Sequence, residues 1–360
     1  MAKKTYVICM TCVGGVFVYD FTHAMRSAPD FKVVIVGVDS DELASGQTLV
    51  DRFEVVKRPT GDGTAYAKDM LAVAERHGVQ AIIPGSETET RTLALHAQRF
   101  ADAGIKLSIS RKPIVDLMTD KLAMLRHIDK NGRVDVGPFA AVENATDARK
   151  AAHSLGYPGN RVVFKPRRDT GSRGVLIANA GEGDYRPLLP DRFCGTGHLD
   201  ALLQEVAKRG ESLNDALAMP EYGPDTFDVD CLAIHGQAIK VIPRLRVYNN
   251  PLSPFVEGCR VSLRAEVIDY VEALCEAFGV HGSCDYDIAL DEHGQPKLLD
   301  ASCRLSGSVG ASFVAGANVP AQLVRIMFEL PIRDEQVTDG VEMRPFTRMV
   351  AIPVEGMRGA

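Results

Sequence analysis

The chain has 360 residues, of which 46% are hydrophobic and 24% charged, with a formal net charge of −6. That is ordinary globular composition, long enough for two or three domains with real cores. The acidic balance argues against non-specific nucleic-acid binding, and the lack of a run of about 18 apolar residues argues against a membrane span.

In chain order, residues 5–10 (TYVICM) and 33–38 (VVIVGV) are short apolar runs rich in β-branched residues, suited to buried parallel strands. FTHAMRSA between them reads as helical, as does 64–78, which Gly78 stops. Residues 80–85 predict a strand, 88–104 a helix and 105–110 another strand. This alternation predicts a doubly wound parallel sheet over 1–110. Gly14-Gly15 follows the first strand, where such sheets meet ligands, but TCVGGVF lacks a full GxGxxG. The eight cysteines are scattered and read as reduced, buried thiols, which fits a cytoplasmic protein. Cys9 and Cys12 form a CxxC without a second pair at zinc spacing, so they read as small residues at a strand end.

The pattern then changes. Residues 113–132 read as helices, and 138–142 and 146–155 as a short strand and a helix. RVVFKP (161–166) and GVLIANA (174–180) predict a hairpin around a glycine-containing loop, an antiparallel signature. Residues 184–200 look irregular, either a substrate lid or a surface loop. Residues 227–247 predict two long strands turning at His235-Gly236. A helix over 264–278, strands CDYDIALD and PKLLDAS, and a helix over 320–329 complete the series.

Several residue sets carry chemistry. The loop Thr170-Gly171-Ser172-Arg173-Gly174 joins two strands, and its small residues let backbone N–H groups approach an anion. Lys165 and Arg168 stand just before it, within reach of the same anion. Asp287 and Asp300 lie on successive strands, thirteen positions apart across a turn. An antiparallel pair could bring both carboxylates to one metal ion. Asp300, Ser302 and Arg304 alternate, so an extended chain aims all three to one side.

VVFKPRRDTGSRGV, PEYGPDTFDVDCLA and GSCDYDIALDEHGQPKLLDASCRLSGS resemble the successive nucleotide-binding segments of the ATP-grasp superfamily, nearest its carbamoyl-phosphate-synthase-like ligases. VVIVGVDSDELASGQTLVDRFEVVKRP, HGVQAIIPGSETE and LMTDKLAMLRHI resemble that group's preceding domain and the entry into its nucleotide-binding fold. The resemblance covers about residues 5–330. It implies a pre-ATP-grasp α/β domain over 1–112 and a two-part ATP-grasp fold over 113–330, divided near 220, with a C-terminal extension over 331–360.

By that resemblance, Lys121 and Lys165 contact the nucleotide, and residues 170–174 look like the flap over the phosphates. Glu221 and Tyr222 resemble the hinge that hydrogen-bonds adenine, and Asp225, or Thr226, falls near a ribose-binding acid. Asp287, Asp300 and Ser302 stand at the metal positions. Arg304 resembles the arginine that stabilises the transferring phosphoryl group, with Arg244 and Arg246 placed toward phosphate or the substrate carboxylate. Two positions depart from the pattern: Asp300 replaces a usual Glu and Ser302 a usual Asn.

The implied reaction joins a small carboxylate to an amine through an acyl phosphate, using ATP and Mg²⁺ or Mn²⁺. The implied partners are small molecules, with no nucleic acid or membrane, and a homodimer is the family-level expectation. Carbamoyl-phosphate-type chemistry, simple phosphoryl transfer and a nucleotide-binding protein with impaired catalysis stay open as alternatives.

Overall fold

The computed structural model describes residues 3–168, 171–248, 257–346 and 349–352. The chain divides into two compact units, one formed by 1–116, 227–287 and 301–360, the other by 117–226 and 288–300.

The first unit opens with β1 (Lys4–Thr11), α1 (Val18–Arg26), β2 (Phe31–Asp39), β3 (Arg52–Val55), α2 (Thr64–His77), β4 (Ala81–Ile83), α3 (Glu87–Leu95), α4 (Ala97–Asp102), β5 (Lys106–Leu107) and α5 (Lys112–Met118). The five strands form one sheet in the order β3-β2-β1-β4-β5, and all its pairings are parallel. Alternation along β1 explains why both faces are covered. Tyr6, Ile8 and Met10 enter one apolar cluster, while Cys9 enters the cluster holding Tyr66 and Met70 of α2. The doubly wound parallel sheet expected from the sequence is therefore present. The predicted helix over 88–104 is interrupted at His96, which caps α3 and starts α4. Cys9 and Cys12 are free thiols, and Cys12 Sγ donates to the Glu89 carboxylate at 2.9 Å.

The second unit contains α6 (Lys121–Asn131), β6 (Ala140–Val142), α7 (Ala145–Ser154), β7 (Val162–Pro166), β8 (Leu176–Ala178), β9 (Arg186–Pro187), β10 (Gly195–Gly197), α8 (Leu199–Arg209) and β11 (Ala216–Pro220). Its sheet runs β6-β11-β7-β8-β10-β9, and α7 and α8 bury their apolar stripes against it through Ala148, Ala152, Leu202 and Val206. The antiparallel β7–β8 hairpin appears as expected. The 184–200 segment supplies β10, parallel to β8, and the edge strand β9, so much of it is built into the sheet.

The chain continues with β12 (Thr226–Ile234), β13 (Gln237–Leu245), β14 (Cys259–Val261), α9 (Ala265–Phe278), β15 (Gly282–Leu290), β16 (Pro296–Ser302), α10 (Val309–Val314), α11 (Val319–Met327) and β17 (Glu342–Met343). These strands form a third sheet in the order β16-β15-β12-β13-β14-β17. The chain leaves the first unit within β15 and returns to it within β16. Leu232 and Ile242 on this sheet share one core cluster with Tyr6, Phe21 and Leu323. Arg325 of α11 is fully buried and holds Asp30, donating to its carboxylate from Nε at 3.1 Å and Nη2 at 2.5 Å.

Candidate functional site

The expected site residues fall into both units, and each group has its own geometry. In the first unit they stand on one face of the third sheet. Asp228 and Asp230 of β12 occupy alternate positions in an otherwise apolar strand, so both point the same way. Across the ladder Asp228 pairs in register with Arg244 of β13. The ion pairs run diagonally from there. Arg246 grips Asp228 with both prongs, Nε at 3.1 Å and Nη2 at 2.5 Å, and its Nη2 also lies 2.9 Å from Asp287 Oδ1.

Arg244 is fully buried. Its Nη2 donates to Asp230 Oδ1 at 2.9 Å and Ser306 Oγ at 3.1 Å, and its Nη1 to Ser308 Oγ at 2.6 Å and Ser308 O at 2.8 Å. Ser312 Oγ donates to the other Asp230 oxygen. This network ties the turn after Arg304 to the sheet. Arg304 itself donates to the Leu305 carbonyl and lies 3.6 Å from Asp285 Oδ2.

The electrostatics follow from this crowding. Burial works to raise the pKa of Asp228, but the charges of Arg246 and Arg244 win and hold it below the usual carboxylate range. Asp285 goes the other way. Burial pushes it well above the usual range, Arg304 opposes this, and the neighbouring Asp287, Asp230 and Asp228 reinforce it. The opposite face of the same strands carries thiols: Cys231 Sγ lies 3.3 Å from Cys275 Sγ of α9, and Cys275 lies 3.6 Å from Tyr286 OH.

In the second unit, residues distant in sequence converge. Asp120 caps α6, accepting from Ala123 N at 3.1 Å, and accepts from Arg167 and Arg168 as well. Asp215 takes the remaining prongs of both arginines. Arg168, expected near the phosphates, is half-exposed and engaged with these two acids. Lys121 is buried, with Nζ 3.2 Å from Asp300 Oδ2. Lys165 of β7 donates from Nζ to the Leu299 carbonyl at 3.3 Å. Residues 121, 165 and 299–300 are thus brought together.

Glu221 pairs with Arg161 at 2.7 Å, and burial raises its pKa. Tyr222 OH reaches the Val136 carbonyl at 3.4 Å and packs over Gly137, where a Cβ would sit 2.1 Å from it. Asp225 accepts through its carbonyl from Leu290 N at 2.9 Å. Of the flap, Thr170 lies outside the described residues, as does most of the YNNPLSPF stretch at 248–255. Gly171, Ser172 and Gly174 all have positive φ, which costs Ser172 roughly 1–2 kcal/mol. The 184–200 segment holds this loop: Gly174 N donates to Phe193 O at 2.6 Å and Arg192 Nη1 to Gly171 O at 2.5 Å. A pocket of about 310 Å³ opens there, lined in part by Arg173, Asp191, Arg192 and Asn214.

Asp120 gives a stability prediction. Burial acts to raise its pKa, but the hydrogen bond from Arg167 and the helix-cap bond outweigh it and the net shift is downward. Its contribution is therefore complete above about pH 4, the unfolded value, and is lost as pH falls through the lower folded value. Asp120→Ala is expected to cost about 2 kcal/mol at pH 7 in urea unfolding, and the gap from wild type should shrink toward pH 3.

Sequence reasoning missed Asp228, Asp230 and Asp285. The available signal was a pair of acids at alternate positions inside apolar strands (FDVDCLA, CDYDIAL), where each demands a partner.

The chain combines a parallel α/β domain, a mostly antiparallel sheet with a glycine loop and an acid–arginine sheet. The C-terminal part, residues 212–349, matches the family model described as ATP-grasp in the biosynthetic pathway with Ter operon. The chain is 30% identical over 207 residues to the carbamoyl phosphate synthase large chain of Pseudarthrobacter chlorophenolicus, a match covering 54% of this chain and 16% of that protein. It superposes on N5-carboxyaminoimidazole synthetase from Staphylococcus aureus with a TM-score of 0.68 at 14% identity, covering 93% of this chain and 81% of that one. It is similar also to the biotin carboxylase domain of Hydrogenobacter thermophilus 2-oxoglutarate carboxylase, solved as a dimer with MgADP, ADP and bicarbonate, with a TM-score of 0.67 at 16% identity, covering 93% and 73%. Residues 212–349 are thus similar to an ATP-grasp family model, and the chain shares the fold of these solved structures. Among the described residues, no helix is long and apolar enough to cross a membrane.

Proposed function

We propose that this protein is an ATP-dependent ligase that joins a small carboxylate to an amine through an acyl phosphate. The observation that carries the reading is the convergence of Lys121, Lys165 and Asp300, two ammonium groups and a carboxylate drawn from three separate segments. In this reading Lys165 and Lys121 neutralise the phosphates of ATP, and the loop 171–174 offers backbone N–H groups to them and excludes water. Glu221, Tyr222 and Asp225 serve the nucleoside. Arg246 and Arg304 receive the substrate carboxylate and the transferring phosphoryl group, and Arg244 keeps the 304–308 turn in place.

Mg²⁺ needs hard oxygen donors, one or two of them carboxylates, with phosphate and water supplying the rest. Asp287 supplies a carboxylate, and the Ser302 hydroxyl is buried with no hydrogen-bond partner among the described residues, so the donor set fits. When bound, the ion would neutralise phosphate charge. In the reaction, a carboxylate oxygen attacks the γ-phosphorus, ADP leaves, the amine attacks the acyl carbon, and phosphate leaves as the amine sheds a proton to water. Positioning and charge account for the catalysis.

The test is to incubate the protein with ATP, Mg²⁺ and a carboxylate panel, using hydroxylamine to trap the acyl phosphate. ADP, phosphate and hydroxamate in equal amounts support the ligase. ADP with a stable phosphorylated product and no free phosphate overturns it in favour of phosphoryl transfer. Ser302→Asn should shift the Mg²⁺ concentration for half-maximal ADP release; an unchanged titration removes Ser302 from the metal donors.

A further inference from the structure

The second unit holds a pocket that takes no part in the proposed ligation. Its volume is about 310 Å³, at the lower end of the range for small-molecule sites. Its floor is apolar, formed by Leu176 of β8, Val206 of α8, Leu213, and Ala216 of β11. All four belong to the cluster that packs the helices against the sheet, and Phe164 of β7 is in the same cluster. Lys165 follows Phe164 on that strand, so its side chain leaves from the opposite face. The pocket therefore lies behind the sheet, away from the lysine assigned to the phosphates.

The mouth is cationic. A Cβ on Gly171 would sit 3.3 Å from Arg192 Nη1 and 3.4 Å from Arg173 Nη1, so two guanidiniums that line the pocket reach one point. An arginine has five N–H groups. Arg192 engages three of them among the described residues. Nε donates to both Asp191 oxygens at 3.1 and 3.2 Å, Nη2 to Asp191 Oδ2 at 2.5 Å, and Nη1 to Gly171 O at 2.5 Å. One N–H on each Nη can still meet an incoming acceptor. The two acids of the lining, Asp191 and Glu211, are exposed; Asp191 is chelated by Arg192, and Glu211 lies in the field of Arg209. Gly174 N donates to Phe193 O at 2.6 Å, so the pocket wall and the glycine loop form one hydrogen-bonded piece.

We propose that this pocket is an effector site for a small amphipathic carboxylate. Its two oxygens accept N–H groups from Arg173 and Arg192, and its apolar body lies on the floor. A cation would meet both guanidiniums and be repelled. An occupant that holds Arg192 also holds Gly171, so carboxylate and nucleotide favour each other's binding. That coupling rests on the reading of loop 171–174 as cover for the ATP phosphates; carboxylate binding does not.

Isothermal titration calorimetry of the full chain tests both parts, with hexanoate, acetate, hexylamine, inorganic phosphate and the ATP analogue AMP-PNP with Mg²⁺. Hexanoate should bind one site per chain, at least tenfold tighter than acetate, phosphate or hexylamine. Saturating AMP-PNP should tighten hexanoate at least threefold, and hexanoate should tighten AMP-PNP by the same factor, because coupling is reciprocal. Val206→Phe fills the floor and Arg173→Gln removes one guanidinium; each should weaken hexanoate at least tenfold with no nucleotide present. Arg173 is exposed, so its variant carries the test where Val206→Phe does not fold, as judged by circular dichroism. Equal affinities for hexanoate, acetate and phosphate mean loose anion pairing and overturn the proposal. Hexanoate affinity unchanged in either folded variant overturns it too, because the carboxylate then binds elsewhere, and so does competition between hexanoate and AMP-PNP. AMP-PNP affinity unmoved by hexanoate overturns the effector role. If AMP-PNP does not bind at all, the nucleotide reading fails by itself, and hexanoate that binds wild type but not the variants upholds the site.

Discussion

Lys165→Ala is expected to lower ATP-dependent ADP release by about 10²–10³-fold while the protein stays folded. The two halves of that expectation have separate causes. Lys165 sits on β7, and its ammonium donates to the backbone carbonyl of Leu299. Losing that bond costs about 1 kcal/mol, too little to unfold a domain with an apolar core of its own. The charge, by contrast, is needed where negative charge moves between phosphate oxygens, and nothing else on β7 replaces it. Circular dichroism of the variant should match wild type, and its KM for ATP should rise less than its kcat falls. Activity within a factor of two of wild type would remove Lys165 from the site.

Arg244→Met should be the costliest single change in the sheet, destabilising by about 3–5 kcal/mol. Arg244 and Asp230 are both essentially without solvent contact, at 0% and 2% side-chain exposure. Removing the guanidinium strands a buried carboxylate that keeps the Ser312 hydroxyl as donor among the described residues, and it frees the 306–308 turn. The second change that tests this is Asp230→Leu in the same chain. Taking away both charges removes the uncompensated ion, so the double variant should regain most of the lost stability in urea unfolding. It should not regain ADP release, because the turn that follows Arg304 stays unanchored.

The parallel sheet was legible because its strands are buried on both faces and spell out β-branched runs between helical segments. Three of the shortest strands were not. β9, β14 and β17 are two or three residues long, set by pairing with neighbours rather than by any local pattern. The glycine loop, Lys165 and Asp300 could be picked out because each interrupts an apolar or turn pattern with a charge or a small residue. What no local pattern carries is who pairs with whom. Arg244 looked free to meet a substrate, yet its Nη groups are engaged by Asp230, Ser306 and Ser308, the last 64 positions away.

The two-sided character of β12 and β15 has a consequence for assembly. Each strand alternates a carboxylate with a thiol or a bulky apolar group: Asp228, Val229, Asp230, Cys231, and Cys284, Asp285, Tyr286, Asp287. Slipping either strand by one residue would push acids beneath α9 and thiols among the arginines. A one-residue slip would bury those charges without partners, so the residues that are most costly to bury also fix the register of the sheet.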